Sequence, residues 1–69
     1  MNKPLFRKKL KEKKMKQGEV AKSVGITEQS FSNKLNERYG REFTLGEVMK
    51  IKTLLNLTKD ELILIFFDD

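Results

Sequence analysis

The sequence predicts an all-α domain of five short helices, and three observations predict it. Apolar residues recur at i, i+3 and i+4 rather than in alternation. Two segments, Thr44–Glu47 and Thr58–Glu61, carry a Thr-x-x-Glu pattern, in which hydroxyl and carboxylate each satisfy a free backbone amide of a helix's first turn. Pro4 and Gly25 stand where one helix begins and another ends. No internal repeat, low-complexity tract or strand-like alternation competes with this pattern.

The first helix is expected from Pro4 to about Lys13, because proline's missing N–H would be unsatisfied at the first helical position anyway. Leu5, Phe6 and Leu10 form its buried stripe among lysines, and Met15 packs in the turn that follows. A second helix spans about Gln17 to Val24, with Val20, Ala21 and Val24 facing the core. Gly25 breaks it, since a glycine just past a helix end enters the left-handed conformation without strain, and Ile26 fills the corner. Thr27 offers its hydroxyl to the free amides of a third helix, about Glu28 to Leu35. That helix turns Phe31 and Leu35 inward and Glu28, Gln29, Ser32, Asn33 and Asn36 outward. A loop, residues 36–43, leads to the fourth helix at Thr44, whose broad apolar face comprises Leu45, Val48, Met49, Ile51, Leu54 and Leu55, with Met49 in the core. The fifth opens at Thr58 and runs into Leu62-Ile63-Leu64-Ile65-Phe66-Phe67. Leu62, Ile65 and Phe66 supply the stripe that closes a core. Ile63 and Phe67, joined by Leu64, form a second stripe on a different side.

With 69 residues the chain is one small domain, 1–69, able to bury only about 60% of its unfolded surface. That leaves no room for a deep active-site cavity. The absence of cysteine and histidine removes the thiolate nucleophile, the disulfide, the commonest general base and the commonest metal ligands, so neither catalysis nor a cofactor is expected. Ser30 and Ser32 have no histidine to activate them. No apolar run approaches the ~20 residues that span a bilayer, and the N-terminus is too polar for a signal peptide, so the expected location is the cytoplasm. The net charge of +5 is unevenly distributed: about +7 over residues 1–16, +1 over 17–41 and −3 over 42–69. One end is built to meet a polyanion and the other is not.

Two short helices joined at Gly25-Ile26, the second with an outward face of short or amide-bearing side chains, form the pattern of a DNA-reading helix-turn-helix. Glutamine and asparagine pair two hydrogen bonds with adenine's major-groove edge, and serine contacts several bases, whereas an ordinary solvated face has no need of this composition.

These residues resemble the small DNA-binding domains of lambdoid-type phage repressors and Cro proteins, and most closely the compact Cro-like repressors of phages from Gram-positive bacteria. Gln17, Ala21 and Gly25-Ile26 carry the resemblance together with residues 30–36 (SFSNKLN), 42–51 (EFTLGEVMKI) and 60–67 (DELILIFF), so it covers nearly the whole chain. It implies a five-helix lambda-repressor-like fold. It also implies that Gln17 contacts a phosphate and braces the recognition helix, and that Ala21 is small because the second and third helices cross there. Glu28, Gln29 and Asn33 then stand where base edges are read, with Thr27, Ser30, Ser32 and Lys34 as further base or phosphate contacts. Asn36, Arg38, Tyr39 and Arg41 fall in the segment that grips the backbone beside the groove.

The chain departs from the family pattern at several positions. Lys14 stands where a glycine often ends the first helix, which implies a strained or altered turn. Lys16 replaces the usual threonine or serine cap, and Gly18 weakens the second helix by up to about 1 kcal/mol, so a loose entry is expected. Lys16 and the bare Gly18 backbone either approach a phosphate or are simply tolerated. Glu28 either accepts from cytosine N4 or complements the positive N-terminus of its helix. Tyr39 either packs on a phosphate or caps the core.

The expected function is that of a transcriptional repressor that occludes a promoter by binding double-stranded operator DNA. The expected assembly is a homodimer formed through Ile63, Leu64 and Phe67, with its recognition helices about 34 Å apart on an inverted repeat. A different class of function is an antirepressor or antitoxin-like module that binds another phage regulator through the apolar C-terminal helix. An excisionase-like architectural protein would need a winged sheet that the sequence does not show.

Overall fold

The computed structural model describes residues 1–67. Within them lie α1 (Lys3–Glu12), α2 (Gln17–Val24), α3 (Glu28–Leu35), α4 (Leu45–Leu54) and α5 (Lys59–Phe66), with a 3-10 turn at Arg38–Gly40 inside the loop that precedes α4. The chain is all-α.

Local chemistry accounts for each start. Helix α1 begins one residue before Pro4, because Asn2 Oδ1 accepts from the Leu5 amide at 3.2 Å and so acts as the cap. Thr27 accepts from the Ser30 amide at 3.0 Å. Helices α4 and α5 carry complete reciprocal caps. Thr44 Oγ1 accepts from Glu47 N at 3.2 Å while Glu47 Oε1 accepts from Thr44 N at 2.9 Å, and Thr58 and Glu61 repeat the arrangement at 3.1 and 2.9 Å. Of the five α-helices described, only α2 lacks a side-chain acceptor at its cap. A lysine ammonium has no lone pair to offer, so Lys16 keeps half the motif, its own N–H donating to Glu19 Oε1 at 3.0 Å.

Two turns set the path between α1 and α3. Lys14 is left-handed, with φ 54°, a conformation that strains an L-residue by roughly 1–2 kcal/mol and that glycine adopts freely. Gly25 takes φ 94°, and the amides of Gly25 and Ile26 both donate to the Ala21 carbonyl, at 2.9 and 3.0 Å.

The core is built from Phe6, Val20, Phe31, Leu35, Ile51, Leu55 and Ile65, all fully buried, each contributing about 1.5–3 kcal/mol of hydrophobic stabilisation. Four aromatic rings close a circuit through it. Phe6 meets Phe31 at 5.9 Å, Phe31 meets Phe43 at 5.1 Å, Phe43 meets Phe66 at 5.9 Å and Phe66 returns to Phe6 at 6.4 Å. Polar ties close the periphery: Asn2 N donates to the Ile65 carbonyl at 2.7 Å, Lys9 pairs with Glu61, and Lys34 Nζ pairs with Glu47 at 2.7 Å.

The face of α4 differs from the sequence expectation. Met49, expected in the core, is 46% exposed, and Leu45 is 73% exposed. At 100° per residue both lie about 120–160° from the buried Ile51, so this segment buries Val48 and Ile51 within α4 and Leu55 just past its end. Leu5 and Leu54 are half-buried, while Leu57 and Phe43, neither expected in the core, contribute to it. No described helix is long and apolar enough to cross a membrane.

Candidate nucleic-acid interface

Helix α3 fixes the site by its rotational setting. With Phe31 and Leu35 buried, the 100° period sends Gln29 and Asn33 to the opposite side, Ser32 and Asn36 to one flank and Ser30 to the other. Glu28 and Lys34 fall near the edges of the buried stripe, where each meets a neighbouring helix.

Gln29 and Asn33 stand one turn apart, and Gln29 Nε2 donates to Asn33 Oδ1 at 3.2 Å. The pair keeps an unused carbonyl on Gln29, an unused NH₂ on Asn33 and a second N–H on Gln29, a mixture of donors and acceptors directed away from the core. Asn36 closes the helix: its Nδ2 donates to the Ser32 carbonyl at 2.9 Å and approaches Ser32 Oγ at 3.4 Å, while its Oδ1 accepts from Lys3 Nζ at 3.2 Å. Ser32 and Asn36 are thereby ordered against each other, and the start of α1 is drawn to the end of α3.

The following segment is held in an unusual backbone shape. Glu37, Tyr39 and Gly40 are all left-handed, with φ 54°, 58° and 67°. Tyr39 is 86% exposed, so it does not cap the core, and Arg38 and Arg41 are exposed beside it. Glu37 forms an ion pair with the N-terminal ammonium of Met1 at 3.5 Å. Gln17, half-buried, opens α2, with the exposed Lys16 just before it.

Not every cation is available to a ligand. Lys34 Nζ lies 2.7 and 2.8 Å from the two Glu47 oxygens, and the side chains are only 15% and 14% exposed, so this charge is neutralised within the fold. Burial pushes the Glu47 carboxyl upward, but Lys34 and the Thr44 amide outweigh it and hold the group below its usual range. Lys9 is likewise engaged, by Glu61 and by Glu12 at 3.4 Å, which raises its pKa. Glu61 falls well below the carboxylate range, chiefly through Lys9 and then through the Thr58 amide. Arg7, Lys8, Lys11, Lys13, Lys14 and Lys16 remain exposed.

Glu28 turns toward α2. A Cβ placed on Gly18 would lie 3.1 Å from Glu28 Oε2 and 3.3 Å from its Cδ, so the carboxylate rests across the bare backbone of the first turn of α2. Sequence reasoning missed this seat, although a glycine inside a helix with no turn to make is a signal of close approach. It also missed Lys3 as a partner of Asn36, for which no local signal exists.

Ile63, Leu64 and Phe67, the expected dimer stripe, are exposed along α5 and at its end. Phe67 borders a cleft of about 350 Å³ that Phe43, Val48, Phe66, Met1, Glu37 and Glu42 also line.

Comparison with known proteins returned one family: a model described as a protein of unknown function (DUF739) matches residues 5–69. No curated protein and no solved structure matches the chain.

Proposed function

The chain belongs to the DUF739 family, and we propose that it is a sequence-specific double-stranded DNA-binding repressor with a lambda-repressor-like helix-turn-helix at α2 and α3. The observation that carries this reading is the outward amide pair of α3. Gln29 and Asn33 are mutually hydrogen-bonded, unburdened by any core role and aimed from one side of a short helix. A side-chain amide offers the donor–acceptor combination that adenine's N6 and N7 demand in the major groove, and a helix of this width fits that groove. Gln17 and Lys16 at the start of α2, with Arg38, Tyr39 and Arg41 after α3, supply phosphate contacts on either side of the reading face. The exposure of Lys16, Arg38, Tyr39 and Arg41 supports that role, and the half-buried Gln17 stands beside Lys16. The protein acts as a homodimer on an inverted repeat in a bacterial cytoplasm, blocking polymerase by occupancy.

The test is selection of bound duplexes from a randomised pool, followed by gel shifts on the recovered sequences. The expected result is an inverted repeat bound at least about 10³-fold more tightly than random DNA. A module that works only through protein contacts, such as an antirepressor docking by its apolar α5 stripe, would select no sequence, and that outcome would overturn the proposal.

A further inference from the structure

We propose that Glu28 is a positioning residue that docks α3 on the first turn of α2 through its carboxylate, and that it takes no part in reading bases although it opens the candidate recognition helix. The second half of this inference rests on the DNA-binding reading; the first half does not.

Three observations converge on it. Glu28 is exposed but lies near the edge of the buried stripe of α3, and its carboxylate reaches the first turn of α2, while Gln29 and Asn33 lie across the helix from that stripe. Its carboxylate is seated over Gly18, at the distance where an added methyl would press on Oε2. Finally, α2 is the one helix among those described whose cap lacks a side-chain acceptor, because Lys16 stands there.

A carboxylate at this point is favoured twice. It complements the positive end of α3, in whose first turn it lies, and it sits against the first turn of α2, where Lys16 leaves amides without a capping oxygen. Glycine at position 18 follows from the same contact: no turn or positive φ requires it, whereas a side chain would occupy the space the carboxylate fills. Gly18 and Glu28 therefore act as a matched pair: the absence of a side chain at position 18 leaves the carboxylate its seat on the first turn of α2. The side chain that the sequence offers as a possible cytosine reader is committed to α2, and discrimination falls to Gln29 and Asn33.

A double-mutant cycle with Gly18→Ala and Glu28→Ala, read by thermal unfolding of the full chain, tests the docking. Alanine within a helix should raise the melting midpoint by about 4 °C or more where nothing opposes it, which is the result expected in the Glu28→Ala background. With Glu28 present, the same substitution should give a smaller gain, because the added methyl pushes the carboxylate off its seat. Equal effects in both backgrounds would overturn the proposal. The second arm measures wild type and Glu28→Ala on every single-base variant of the selected duplex. The expected result is the same base preference at each position, with any loss of affinity spread evenly over all sites. A loss of discrimination confined to one base pair would show that Glu28 reads it and would overturn the proposal. If the wild type selects no duplex, the repressor reading fails, while the unfolding cycle still decides whether Glu28 docks on α2.

Discussion

The side-chain amide of Gln29 donates to Oδ1 of Asn33 at 3.2 Å, across one turn of α3. Two flexible polar side chains thereby hold each other in a shared orientation before any ligand arrives. Pre-ordering of this kind lowers the rotamer entropy lost on binding, and it makes each residue's contribution dependent on the other. Replacing either by alanine should weaken binding to the selected operator by about 1–3 kcal/mol while leaving random DNA nearly unaffected. The double variant should lose less than the sum of the two single losses. Titrations of the four proteins on operator and random duplex check this. Equal losses on both duplexes would contradict a base-reading role.

Lys34 and Arg41 should behave differently, although both are cations near the candidate interface. Lys34 is bonded to both oxygens of a mostly covered Glu47 and ties α3 to α4, whereas Arg41 is exposed. Lys34→Met should destabilise the fold by about 1.5–3 kcal/mol in urea unfolding, since it leaves a shielded carboxylate without its partner. It should not alter the salt dependence of DNA binding. If each subunit neutralises about four phosphates, the dimer's log–log salt slope is roughly −7, and Arg41→Ala should reduce its magnitude by about 1 for each subunit. A slope near zero for the wild type would exclude phosphate contacts altogether.

Acid should loosen the seam between α1 and α5. Glu61 lies below its usual value of 4.5, at about 2, chiefly because Lys9 donates to it and then because the Thr58 amide does. A carboxylate whose folded pKa is depressed contributes stability that is fully present above pH 4.5 and lost as the pH falls toward 2. Glu47, also lowered, acts in the same direction. Lys9, raised above 10.5, contributes stability present below that pH and lost as the pH climbs through its folded pKa. Glu61→Gln should therefore flatten the acid limb of a plot of melting midpoint against pH. An unchanged limb would show that the pair contributes nothing.

The helix-forming punctuation is local, and local chemistry is legible in sequence. Gly25 and Thr27 alone delimit α2 and α3 at Val24 and Glu28, and the Thr-x-x-Glu pairs mark α4 and α5 to the residue. The anomaly at Lys14 was visible too, because a position that favours glycine is a statement about φ. What remained hidden depends on neighbours distant in the chain. Met49 has the composition of a core residue and an i+4 relation to Leu45, but the packing of Ile51 decides the rotation of α4 and leaves both outside. Lys34 looks like any surface cation until Glu47, thirteen positions on, is brought against it. Glu28 and Gly18 belong to different helices, and only the approach of those helices makes them partners.

The exposed stripe of α5 should form the dimer contact. The helix closes the core with Leu62 and Ile65, fully or nearly fully covered, and with the half-buried Phe66, so Ile63, Leu64 and Phe67 are not needed there and remain exposed. Covering such side chains against their counterparts across a two-fold axis gains about 1.5–3 kcal/mol for each one fully buried. That gain is set against several kcal/mol of lost translational and rotational freedom, which predicts a weak dimer in free solution. An inverted-repeat operator changes the balance, because two subunits held side by side on one duplex meet at a high effective concentration. Ile63→Glu should therefore leave half-site binding unchanged while abolishing cooperative occupation of the full operator, and analytical sedimentation should find it monomeric in free solution. A wild type that is monomeric in free solution and binds the full operator without cooperativity would place the dimer contact elsewhere or remove it.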